Sequence, residues 1–241
     1  MASIKFDNLP EFKRLTKGKD PVDEIWIERY EFDISPFDLE EDMFNVISYA
    51  AYWGSINVFK YCLEHLERPH NYIVEAAVAG GNPEIIELAL SLPGVSLKTS
   101  LDYAIFYHRY DIIERCLKEG YGNTSNLCIA CKSMSIPMAL YYLKKGQSPM
   151  MTIFKNRSEF PLYTAAENGH ISLLRLLLYY GADPNQRLFN GKTALHRCAQ
   201  YAHLEMIGIL KEAGADINAQ TRRFKETPLN FAQTVHRTCI S

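Results

Sequence analysis

The sequence predicts an all-α solenoid of about seven stacked helix pairs, on three observations. First, a body of constant length recurs: Leu101 to Gly120, Leu127 to Gly146, Leu162 to Gly181 and Leu195 to Gly214 are all 19 residues apart. Second, small residues stand three and four places after each apolar anchor, as in Ala50/Ala51, Ala130/Cys131 and Ala165/Ala166. Third, apolar residues recur at helical spacing on both sides of a Gly-or-polar turn, as Leu173, Leu174, Leu177 and Leu178 do after Asn168-Gly169-His170. Self-similarity at a fixed period marks a row of like units, each burying its apolar faces against its neighbours.

The anchors are Ile47, Val74, Leu101, Leu127, Leu162, Leu195 and Leu229. Ahead of the first, residues 1–37 are expected to form an N-terminal helical cap. Asp20-Pro21-Val22-Asp23-Glu24 has the N-cap, first-turn proline and early acids of a helix start, and Ile25, Trp26 and Ile27 offer it apolar surface. In each body the small pair lets two helices approach closely; in the second repeat it slides to Ala76/Ala77, before the Gly80-Gly81-Asn82-Pro83 turn. Gly169 ends a first helix because glycine takes a left-handed conformation cheaply. Gly120, Gly146, Gly181 and Gly214 close the second helices. After the last anchor only Ile240 remains of a second helix, so the array ends mid-unit, as a fragment or a bare cap.

Gly191-Lys192-Thr193-Ala194-Leu195-His196 and Glu226-Thr227-Pro228-Leu229, with Gly181-Ala182-Asp183-Pro184-Asn185 and Gly214-Ala215-Asp216-Ile217-Asn218, resemble the start and end of the ankyrin repeat. The resemblance is strong over residues 158–234 and weaker over 47–157, whose short units look like the shortened repeats common in protozoan proteins. It implies an ankyrin repeat domain over residues 38–241, with short repeats in 38–126 and long ones in 127–241. It also implies β-hairpin fingers projecting from the joints. The joint from Gly120 to Leu127 is only seven residues, whereas the later joints run to 16, 14 and 15. Fingers are therefore expected only in the C-terminal half, after Gly146, Gly181 and Gly214.

Composition narrows the function. A net charge of −2 disfavours a general nucleic-acid or membrane-surface binder. No apolar run reaches 18 residues and no secretory leader is visible, which fits a cytoplasmic, monomeric protein. Six scattered cysteines suit a reducing compartment better than a disulfide framework. Cys128-Ile129-Ala130-Cys131 has redox or half-zinc spacing, but no second pair follows and Cys131 occupies a small-residue core place, so it is read as structural. Cys62 and Cys116 fall on a core face. No phosphate loop, dinucleotide fingerprint or His-Glu-x-x-His motif is present. No cofactor, metal or catalytic residue is expected. By the resemblance, His196 and Tyr163 stand where a histidine bonds backbone between units.

The expected function is non-catalytic binding of a protein partner, as a scaffold or adaptor. The alternatives are a host-directed effector, or a fragment of an enzyme whose activity lies outside this chain. By fold analogy the binding surface is the first helices and the finger tips. Exposed places of the first helices would carry Tyr49, Tyr52 and Trp53, then Tyr103, Phe106 and Tyr107, then Arg197, Gln200 and Tyr201. Aromatic rings dominate binding hot spots; the competing reading has residues 1–37 folding across them as cover. Finger residues Gln186, Arg187, Leu188, Phe189 and Asn190, with Arg222, Arg223 and Phe224, form a second candidate surface. The joint Met150–Arg157 forms a third. Phe189 and Phe224 either face a partner or stack on each other. Lys144-Lys145 is read as solvated loop charge; for Arg222, Arg223 and Lys225 an acidic protein partner is the alternative.

Overall fold

The computed structural model describes residues 2–16, 26–28, 43–66, 71–121, 126–151 and 160–238. The chain divides into two compact units, residues 1–122 and 123–241.

In the first unit, α1 (Ala2–Lys5) and α2 (Leu9–Thr16) precede a short antiparallel pair, β1 (Trp26–Glu28) with β2 (Met43–Asn45), registered Ile27 to Phe44. Three helix pairs follow: α3 (Val46–Trp53) with α4 (Ile56–Glu64), α5 (Asn71–Gly80) with α6 (Pro83–Leu90), and α7 (Leu101–Phe106) with α8 (Tyr110–Lys118). First helices pack on first helices, α3 on α5 and α5 on α7, and α4 packs on α6. Helix α1 packs on α3, and α2 on α4. The Asp7 carboxylate accepts from the backbone N–H groups of Asn57 and Val58, satisfying free donors at the start of α4. Helices α1 and α2 thus pack on the first helix pair; the helix start read at Asp20 lies outside the described residues. Residues 26–28 are strand, not helix.

The second unit holds α9 (Asn126–Lys132) with α10 (Ile136–Lys144), α11 (Pro161–Glu167) with α12 (Ile171–Tyr179), α13 (Ala194–Gln200) with α14 (Leu204–Glu212), and α15 (Pro228–Thr238). The stacking rule is the same: α9, α11, α13 and α15 pack in series, as do α10, α12 and α14. All seven anchors lead or fall within first helices; six are buried, and Leu229 is exposed at 65%.

Small residues do the work expected of them. Ala50, Ala51, Ala77, Ala104, Ala130, Ala165 and Ala166 are completely buried. At Gly80 even a methyl group is excluded, because a Cβ there would collide with the backbone carbonyls of Ala51 and Tyr52 on α3. The turn that follows is a cap: Asn82 accepts from Glu84 N at 3.0 Å, Pro83 opens α6, and Arg109 donates to the carbonyls of Val78, Ala79 and Gly80 at the end of α5. The homologous turn residue is left-handed throughout, but only Gly54, Gly81 and Gly169 are glycine; His108, Met134 and Ala202 hold φ near 57° with a side chain attached.

The expected β-hairpin fingers are not formed among the described residues. After Gly181 the loop closes through Leu188 N to Lys192 O at 2.8 Å, and after Gly214 through Thr221 N to Glu226 O at 3.0 Å. One such bond per loop is too little for a strand ladder, which needs alternating paired bonds along both strands. After Gly146, residues 148–151 form a turn and 152–159 lie outside the described residues. Loop length alone does not make a hairpin; the paired backbone bonds must form as well. The described strand pair lies instead between residues 26 and 45, where helix was expected.

Asn185 shows what holds the loops. Its side chain donates to Gly214 O at 2.9 Å and accepts from Asp216 N at 2.7 Å, linking one Gly-Ala-Asp-x-Asn segment to the next. His196 is fully buried and links repeats as the resemblance implied. Its Nδ1 accepts from Thr193 N at 3.1 Å, and its Nε2–H donates to Glu226 O at 3.2 Å. Burial lowers its pKa below the ordinary value of about 6.5, outweighing the bond to Glu226.

Three stability outcomes follow. Gly80→Ala should destabilise the first unit by about 1–3 kcal/mol in urea unfolding, through overpacking against α3. Ala202→Gly should stabilise the second by up to about 1 kcal/mol by relieving left-handed strain, less the added unfolded-chain entropy. For His196 the folded pKa lies below the unfolded one, so its contribution is complete above pH of about 6.5 and declines as pH falls toward the folded value. The urea midpoint should drop over that acid range, and His196→Gln should flatten the drop while lowering the midpoint at neutral pH.

Candidate functional site

The two loops of the second unit meet at their tips. Arg222 N donates to Asn190 O at 2.9 Å, and the Asn190 side chain accepts from Lys192 N at 3.0 Å. Two rings are left in solvent there: Phe189 is 81% exposed and Phe224 67%. They do not stack on each other. Each is covered by an arginine instead, Arg222 at 5.5 Å from the Phe189 centroid and Arg223 at 4.9 Å from that of Phe224. Arg187 is tied down, donating to Gln220 O at 3.1 Å with Asp216 at 4.0 Å. Gln186 donates to Met150 O at 2.8 Å, so the joint at Met150 is bound to the next loop.

On the first helices of the second unit, Arg197 organises the expected surface. It pairs with Glu167 at 2.5 Å, donates to Gln200 at 3.0 Å, and lies over the rings of Tyr163 at 5.1 Å and Tyr201 at 5.4 Å. Tyr163 is buried, and Tyr201 is 46% exposed and stacked on His203.

In the first unit the expected aromatic surface is partly interior. Tyr49 is 2% exposed, which corrects its assignment to an open face. The cause is the cover: α1, β1 and β2 all pack against α3, and Tyr49 lies against Trp53. Tyr52, Trp53, Tyr103, Phe106 and Tyr107 are half-buried. Four of them form one chain of edge-on contacts, Trp53 to Tyr52 at 5.6 Å, Tyr52 to Tyr107 at 6.3 Å and Tyr107 to Phe106 at 5.2 Å. Lys5 of α1 lies 4.0 Å over Trp53. The Tyr52 and Tyr107 hydroxyls share a hydrogen bond, and Tyr103 donates to Glu75. Burial, and then those neighbours, push the phenol pKa of Tyr103 and Tyr107 well up, so both remain neutral donors.

Sequence reasoning missed Glu75, a buried carboxylate at 8% exposure. Its signal was an acid inside the apolar run Ile73-Val74-Glu75-Ala76-Ala77. It also missed Lys5, whose position over Trp53 no spacing reveals.

The described cysteines are packing residues. Cys62, Cys116, Cys128, Cys131 and Cys198 are buried free thiols. Burial pushes Cys62 and Cys198 up to about 12 and Cys116 to about 11, and raises Cys131 strongly, so these thiols stay protonated and poorly nucleophilic. Among the described residues no three His, Cys, Asp or Glu side chains gather as metal ligands, and no helix is long and apolar enough to cross a membrane.

A family model of ankyrin repeats, in three copies, matches residues 127–221. The cattle (Bos taurus) Ankyrin repeat and SOCS box protein 3 is 34% identical over 115 residues, 46% of this chain and 21% of that protein. A Putative ankyrin repeat protein of Rickettsia bellii is 31% identical over 146 residues, 56% of this chain and 41% of that protein. The B-cell lymphoma 3 protein homolog of Mus musculus is 32% identical over 115 residues, 47% of this chain and 25% of that protein. The chain thus spans less than half the length of these relatives. The buried small residues, the left-handed turn glycines and the His196 link from one repeat to the next accord with the ankyrin repeats matched over residues 127–221.

Proposed function

We propose that the chain is a non-catalytic protein-binding module, a scaffold or adaptor, whose principal contact is the pair of loop tips in residues 123–241. Ankyrin repeats are interaction modules, which supports the general reading. The observation that carries the specific one is the exposure of Phe189 and Phe224 on tips joined by the Arg222–Asn190 bond. A loop tip has no neighbour to bury a ring, so exposed rings there have little structural purpose. They bring large area at low rotamer cost, as binding anchors do. Tyr201 at the end of α13, 46% exposed, is a further exposed ring of the same unit. The first-helix rings of the first unit make a lesser surface: they are half-buried and engaged with one another and with Lys5, so their first contribution is to the packing of that unit. Helices α1 and α2 act as its cover, and the cytoplasm is the compartment that suits protonated buried thiols.

The test compares wild type with Phe189→Ala/Phe224→Ala as bait in affinity capture from the native extract. The double variant should lose a partner, with a penalty of about 2 kcal/mol or more in direct titration. Its melting temperature should match wild type, because neither ring packs in the core. An unchanged capture profile would remove the tips from the binding surface.

A further inference from the structure

We infer that the loop-tip surface takes an acidic segment of a polypeptide partner. This rests on the protein-binding reading above and adds the partner's chemistry. Charge along the chain is split. Residues 1–122 hold 12 Lys and Arg against 21 Asp and Glu, and residues 123–241 hold 14 against seven, so a net charge of −2 conceals −9 and +7. The positive excess gathers at the tips. Residues 184–192 carry Arg187 and Lys192 with no acid, and residues 219–227 carry Arg222, Arg223 and Lys225 against Glu226 alone. Arg187 is partly committed to Asp216, but Arg222, Arg223 and Lys225 are exposed and form no ion pair with any described residue.

The arrangement fits carboxylates set among apolar side chains. An arginine lying over a ring uses its face and keeps in-plane N–H groups that match a carboxylate two by two. The exposed part of each ring then offers apolar contact beside the charge. A nucleic acid fits less well. Phosphate binding gains affinity from a track of cations along a charged backbone, whereas these cations lie on two adjacent tips.

The test uses the full chain and a short fluorescent peptide of alternating Glu and Phe. Its comparisons are a Gln-for-Glu version, oligothymidylate, and vesicles containing phosphatidylserine. Wild type should bind the Glu-Phe peptide, more weakly as salt is raised, and the Gln version about tenfold or more weaker. Arg222→Glu/Arg223→Glu should lower peptide affinity by about tenfold or more, with an unchanged melting temperature. Four results would overturn the proposal: no binding of the Glu-Phe peptide, equal binding of the Gln version, tighter binding of oligothymidylate or vesicles, or self-association in sedimentation that the same charge reversal abolishes. The two readings fail separately. If charge reversal leaves the captured partner in place while Phe189→Ala/Phe224→Ala loses it, protein binding stands and the acidic segment does not.

Discussion

The approach of consecutive first helices, backbone against backbone where Gly80 meets the carbonyl of Tyr52, is the constraint on which the rest depends. Helices this close tolerate only small side chains between them, which is why alanine or cysteine recurs three places after each anchor. Once the first helices are fixed at that spacing, the second helices stack behind them as α4 does on α6 and α12 does on α14. The loops between repeats are then carried at the same interval, near enough for Asn185 to reach Gly214 and for Asn190 to reach Arg222.

Polar groups divide between two duties. Those inside the stack are consumed by it: His196 joins one repeat to the next, Arg109 closes the end of α5, and Asp7 caps α4. Ion pairs between neighbouring second helices, such as Lys60–Glu84 at 2.7 Å and Arg115–Glu87 at 2.5 Å, are exposed and contribute little. Arg222, Arg223 and Lys225 at the loop tips are different, because they form no ion pair with any described residue. A solenoid needs its interior polar atoms matched, but its projecting loops are under no such demand, and there the side chains are free to serve something else.

Much of the fold was legible because it is periodic. The anchors, the small pairs and the turn glycines located six helix pairs and a seventh first helix, since burial against an identical neighbour repeats the same residue choice at the same interval. What is not periodic was harder to read. The strand pair of residues 26–28 with 43–45 depends on a partner 17 residues away and has no internal copy to compare. The fingers failed for the opposite reason: a loop long enough for a hairpin still needs paired bonds that Gln186–Lys192 does not make. Tyr49 was misplaced because its exposure depends on the cover, and the first repeat is the one whose outer neighbour is not a repeat. The exposure of Phe189, Arg222 and Phe224 was legible because a loop tip has no neighbour to cover its side chains, which is visible without coordinates.

The sealed thiols have a practical consequence. Cys62, Cys116, Cys131 and Cys198 belong to four different repeats, and each is protonated and closed to solvent while its helix pair is intact. A thiol reagent can therefore react only when a repeat opens, and where repeats lean only on their neighbours within a unit, opening need not be simultaneous. The rates at which these sulfurs become modified would form a built-in clock, reporting which part of the row breathes first.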